Sequence, residues 1–166
     1  MLAGWGTTCG KCRPTMVGPK TLFAAAGDLP APAGADGMVL GWLVVVRSND
    51  KGRVGALFEL DAEEIVLSRA GALAAVPGAR LVELDDVFMS GGHSVLRRPR
   101  TRDKTDAFTL RDRSKPGPSA NGTFVNSDKL KPGEELRLCD GDMIKLGATE
   151  LLFKSLWLPP AGARRS

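Results

Sequence analysis

Asp140-Gly141-Asp142-Met143-Ile144-Lys145-Leu146-Gly147-Ala148-Thr149-Glu150-Leu151-Leu152-Phe153-Lys154 reads as a turn, a strand at 143–146, a tight glycine turn and a final strand from Glu150 to Lys154. Asp and Gly supply the turn chemistry, and the apolar residues between them fit a short buried strand. The same grammar recurs upstream. Trp42 to Arg47, WLVVVR, is β-branched and apolar, and Ser48-Asn49-Asp50-Lys51-Gly52 is a turn. Arg53 to Leu60 and Glu64 to Ser68 read as the next strands. Gly71 to Ala79 is a loop that Pro77 and Gly78 keep from becoming a helix. Arg80–Leu84, Ser94–Arg98, Ala107–Arg111 and Thr123–Asn126 complete the series. Many short strands without a 3.6-residue period predict an all-β sandwich or barrel.

The chain has 166 residues, of which 43% are hydrophobic and 25% charged, enough for one domain with a real core. Residues 27–37, GDLPAPAGADG, are almost all small, Pro or Asp and cannot bury enough apolar surface to offset their ordering entropy. Residues 1–37 are therefore read as a flexible N-terminal tail, 38–158 as the domain, and 159–166 as a short basic tail. No apolar run approaches the roughly 20 residues of a membrane helix. Without a secretory signal, a cytoplasmic protein with no membrane partner is expected. The net charge of +4 is mild. Arg97, Arg98, Arg100, Arg102 and Lys104 form a basic run with no interleaved aromatics to stack bases, so nucleic-acid binding is not expected.

Three cysteines give no disulfide framework. Cys9 and Cys12 form a lone C-x-x-C, and without two further ligands they make no zinc site unless a second chain completes it. The single histidine, His93, leaves most nucleophile–base arrangements without a base. Asp85-Asp86 and Glu63-Glu64 read as surface or turn carboxylates, since neighbours on a strand point to opposite faces. There is no P-loop and no G-x-G-x-x-G. A binding module with no cofactor is expected rather than an enzyme.

Three separated pieces stand out together: Ser68-Arg69 after a strand, Ser90-Gly91-Gly92-His93 after a loop, and Asn121-Gly122-Thr123-Phe124-Val125-Asn126. In this order, and followed by the closing DGDMIKLG, they resemble a forkhead-associated (FHA) domain over roughly residues 38–158. The resemblance implies a β-sandwich of about eleven strands whose loops at one end bind phosphothreonine in a partner protein. It implies a phosphopeptide site at Arg69, Ser90, Gly91, Ala120 and Asn121, with His93, Gly122, Thr123 and Asn126 in structural roles. The chemistry suits such a ligand. Phosphothreonine carries about −1.5 to −2 charges and three acceptor oxygens. An arginine pairs with it through two parallel hydrogen bonds, and an asparagine amide can both donate to and accept from a peptide main chain.

The sequence departs from the family at three places. Ser68 stands where the family has glycine, Gly91 where it has arginine, and Ala120 where a threonine is frequent. Hydrogen bonds to charged groups are worth roughly 1.5–3 kcal/mol each, so these losses call for compensation. Lys115 and Ser119, in the loop before Asn121, are the accessory candidates. The expected function is an adaptor that reads phosphothreonine in Ser/Thr-kinase signalling. The alternative is a scaffold or assembly domain with a degraded phosphate site. Its own tail, phosphorylated at Thr7, Thr8 or Thr21, is a second candidate ligand.

Overall fold

A computed structural model describes residues 38–72, 76–99, 107–113 and 117–158. Among these residues, eleven strands form two sheets. They are β1 (Met38–Arg47), β2 (Leu57–Glu59), β3 (Glu64–Arg69), β4 (Ala79–Leu84), β5 (Ser94–Arg97) and β6 (Thr109–Asp112), followed by β7 (Thr123–Val125), β8 (Asp128–Lys129), β9 (Glu135–Arg137), β10 (Met143–Leu146) and β11 (Thr149–Leu158). One sheet has the order β2-β1-β11-β10-β7-β8, the other β4-β3-β5-β6-β9. Every pairing is antiparallel except β3 with β4. The all-β sandwich read from the sequence is the observed fold.

The longest ladder joins β1 to β11, from Met38 opposite Leu158 to Arg47 opposite Glu150. Alternation puts Leu43 and Val45 of β1 and Leu151 and Phe153 of β11 inward, where they meet Ile65, Leu67, Leu96 and Leu110 of the other sheet. Phe108 and Phe153 pack edge to face with centroids 5.6 Å apart.

The strand expected from Arg53 to Leu60 is confined to Leu57–Glu59. Asp50 caps a 3₁₀ turn at Lys51–Arg53 by accepting from the Gly52 N–H at 2.9 Å, and this turn takes up the first residues of the expected strand. β8 and β9 were not expected. The last strand is longer than expected, because the ladder with β1 runs from Glu150 to Leu158. Cys139 is disulfide-bonded, a bond that the sequence reading did not expect. Cys9, Cys12, the tail threonines and Lys115 lie outside the described residues. No helix among the described residues is long and apolar enough to cross a membrane.

Candidate functional site

The register gathers four segments at one end of the sandwich. Arg69 closes β3 opposite Leu84, which closes β4. Ser94 opens β5 opposite Asp112, which closes β6. Thr123 opens β7 opposite Leu146, which closes β10 and turns into Thr149 of β11. The β3–β4, β4–β5 and β6–β7 loops and the β10–β11 turn therefore share this end, and with them Arg69, Ser90, Gly91, Ala120 and Asn121. Asn126 is at the other end of β7. There it donates to Asp142 at 2.7 Å and accepts from the Met143 N–H at 2.9 Å, pinning the β7–β8 turn to β10.

Arg69 is exposed, and its backbone N–H donates to the Ser90 carbonyl at 3.2 Å. This bond draws the end of β3 to the β4–β5 loop. The Ser90 hydroxyl oxygen accepts from the Ala120 N–H at 3.1 Å, which brings in the β6–β7 loop. Ser90's backbone N–H goes to His93 Nδ1 at 3.0 Å, and His93 Nε2 lies 3.1 Å from the Gly122 carbonyl. A ring that accepts on Nδ1 and donates from Nε2 is neutral. Burial pushes the His93 pKa below its usual value, against the opposing pull of the Gly122 carbonyl and of the Asp112 and Asp86 charges.

The three departures from the family pattern each have a local reason or consequence. Ser68 is fully buried. Its hydroxyl accepts from the Gly92 N–H at 3.0 Å and donates to the Arg69 carbonyl at 3.1 Å. The extra side chain thus ties β3 to the turn before His93. At Gly91, a Cβ would lie 2.8 Å from the carbonyl oxygen of Ala72, so the β3–β4 loop leaves no room for the family's arginine. Just after β6, Arg113 places a guanidinium beside Gly91, its Nη1 donating to the Gly91 carbonyl. Ala120 is exposed and contributes only its backbone N–H to Ser90.

Asn121 is exposed, and its Nδ2 donates to the Phe88 carbonyl at 2.6 Å. One of its two amide hydrogens and its Oδ1 remain for a ligand. Ser119 does not serve as an accessory ligand. It is buried, its hydroxyl donates to Asp112 Oδ1 at 2.6 Å, and its N–H reaches Asp112 Oδ2 at 3.2 Å. The same buried carboxylate accepts from Thr123 at 2.7 Å, and Thr123 lies 2.7 Å from the Ser94 hydroxyl. Asp112 therefore staples the β6–β7 loop to the core.

Of the surface or turn reading of Asp86, the turn holds and the surface does not: its carbonyl accepts from the Met89 N–H at 3.0 Å, and the residue is 1% exposed. Its Oδ2 accepts from the Ala148 N–H and the Thr149 hydroxyl, both at 2.8 Å, and its Oδ1 from the Phe88 N–H at 2.9 Å. It locks the β4–β5 loop onto the β10–β11 turn. Asp86, Asp112 and Arg113 are the residues that the sequence reading did not select. The signal for the two aspartates would have been a carboxylate at or just past the end of a strand, Asp112 closing β6 and Asp86 two residues beyond β4. Among the described residues, no group of three or more His, Cys, Asp or Glu is placed to hold a metal ion.

The FHA domain family model matches residues 77–147. Full-length yeast Pml1p superposes with a TM-score of 0.56 at 21% identity, over 71% of this chain and 83% of that one. The FHA domain of a hypothetical protein from Arabidopsis thaliana gives 0.54 at 25% identity, over 81% and 98%. The FHA domain of the CT664 protein from Chlamydia trachomatis gives 0.51 at 21% identity, over 69% and 96%. No match was found among curated proteins.

Proposed function

Because this chain carries a forkhead-associated domain, we propose that it is a phosphothreonine-dependent protein-binding module, an adaptor in Ser/Thr-kinase signalling that tethers a partner and catalyses nothing. The observation that carries this reading is the juxtaposition of Arg69 and Ser90. The Arg69 N–H holds the Ser90 carbonyl, and Ala120 fixes the Ser90 hydroxyl oxygen from the other side. The Ser90 hydroxyl proton has no acceptor among the described residues, so it is available to a phosphate oxygen beside the exposed Arg69 guanidinium. Arg113, anchored on Gly91, supports the reading as a second cation where the family's arginine is missing. Asn121 supports it with an amide hydrogen and a carbonyl oxygen left for the main chain of an extended peptide.

The test is titration with a phosphothreonine peptide library, with the unphosphorylated peptides as controls. Binding that requires the phosphate supports the module. A second reading, a scaffold or assembly domain that binds partners without phosphate, is favoured by Gly91 and Ala120. Equal binding of phosphorylated and unphosphorylated ligands would establish it.

A further inference from the structure

The outer face of the six-stranded sheet is apolar where an antiparallel sheet with one solvated side ordinarily carries polar residues. Leu43, Val45, Leu151 and Phe153 point into the core, so the residues that alternate with them point out. The register sets four of these in one row across four adjacent strands: Leu57 of β2, Val44 of β1, Leu152 of β11 and Met143 of β10. Leu40 opposite Leu156 adds a second apolar pair further along the same face. Leu57 is 60% exposed and Leu156 38%. Contiguous apolar surface of this kind marks a contact face.

The occupant follows from Cys139. It is disulfide-bonded, and the chain has only two other cysteines, Cys9 and Cys12. A bond made within the chain therefore closes on the segment before Met38. Cys139 stands at the border of the apolar face. The next residue, Asp140, accepts from the Ser155 N–H at 2.8 Å and from Lys154 at 2.7 Å, on β11 between Leu152 and Leu156. The segment is thus tied beside this face at two points, by the disulfide and by the main chain at Met38. Between the ties, its longest apolar stretch is residues 22–26, LFAAA. The eleven residues 27–37 join that stretch to Met38, a random-coil reach of ~17–20 Å. Val44 is six strand residues from Met38, about 20 Å. From the other side, residues 13–21 reach ~15–18 Å from Cys12, and Met143 is within about 14 Å of Cys139. Both tethers deliver the stretch to the same row. We infer that the outer face of β2, β1, β11 and β10 is the docking surface for residues 22–26 of the same chain. Leu22 and Phe23 sit on the row from Leu57 to Met143, and a disulfide from Cys139 to Cys9 or Cys12 holds them there. The face is separate from the loops around Arg69 and Ser90, so this inference does not depend on what those loops bind.

The full chain is equilibrated in a glutathione redox buffer, its free thiols are blocked, and its disulfides are mapped by mass spectrometry. The expected link joins Cys139 to Cys9 or Cys12 in a chain that sediments as a monomer. Trypsin then reports the docking, because Lys20 stands just before the apolar stretch. Cleavage after Lys20 should be about tenfold faster in the double variant Leu22→Ser with Phe23→Ser than in the wild type, the scale of a weak contact raised by a millimolar effective concentration. Leu57→Ser with Leu152→Thr removes the row from the other side and should quicken cleavage alike. The Leu22 and Phe23 variant changes no residue of the strands, so it tests the docking even where the sheet variant loses stability. Equal cleavage in the wild type and the Leu22 and Phe23 variant overturns the proposal. A free Cys139 thiol removes the second tie and also overturns it. A disulfide from Cys139 to another molecule, with a dimer in sedimentation, assigns the face to a second copy of the chain and likewise overturns the proposal.

Discussion

The backbone N–H of Ser90 ends 3.0 Å from Nδ1 of His93, a fully buried ring. The site's hydroxyl residue is thus positioned by a titratable group that never meets solvent. Protonating Nδ1 would replace an accepted hydrogen bond with two opposed donors. Folding therefore favours the neutral ring, in keeping with the lowered pKa.

The first prediction follows from that sign. The unfolded chain takes up a proton near the ordinary histidine pKa of about 6.5, while the folded chain resists it to lower pH. Between these values the unfolded state binds more protons, so stability present above pH ~6.5 is lost as pH falls through the folded value. Urea denaturation from pH 7.5 to 5.5 should show this decline. His93→Gln should remove it, since His93 is the only histidine. An identical decline in the variant would assign it to other groups.

Arg69→Ala should weaken phosphopeptide binding by at least about tenfold, the value of a charge-assisted hydrogen bond or more. The melting temperature should barely move, because the side chain is exposed. Calorimetric titration beside a thermal melt measures both. Undiminished affinity removes Arg69 from the site.

Gly91→Arg restores the family residue and should not restore affinity. Its Cβ would strike the Ala72 carbonyl, so the β3–β4 loop must move, at a cost of roughly 1–3 kcal/mol of stability. Gly91→Ala should show much of the same loss. A variant with full stability and tighter phosphopeptide binding would show that this loop yields freely.

Asp86→Asn should destabilise by about 2 kcal/mol or more, since an amide cannot accept from all of Phe88, Ala148 and Thr149, and its NH₂ faces their donors. Hydrogen exchange should then quicken at Phe88 and Ala148. Unchanged exchange there would mean that the loop is held by other contacts.

The closing β10–β11 hairpin was legible because its alternation, Asp-Gly turn and glycine turn all specify one local structure. β8 and β9 were not. Asp128–Lys129 is exposed, Glu135–Arg137 has one half-buried residue, and each strand forms only because a neighbouring strand offers a ladder. Arg69, Ser90 and Asn121 were legible as a constellation, since spacing and residue type carry it. Asp86 was not, because its burial is decided by Ala148 and Thr149, 62 and 63 residues away. Arg113 escaped notice for the same reason. Its role exists only once the fold brings it to Gly91.

The β1–β11 ladder puts both ends of the described domain at one pole. Met38 lies opposite Leu158, away from Arg69, Ser90 and Asn121. The ten residues of β1, about 30 Å, separate that pole from those loops. The sandwich thus stands as a spacer between the ends of the domain and its candidate site.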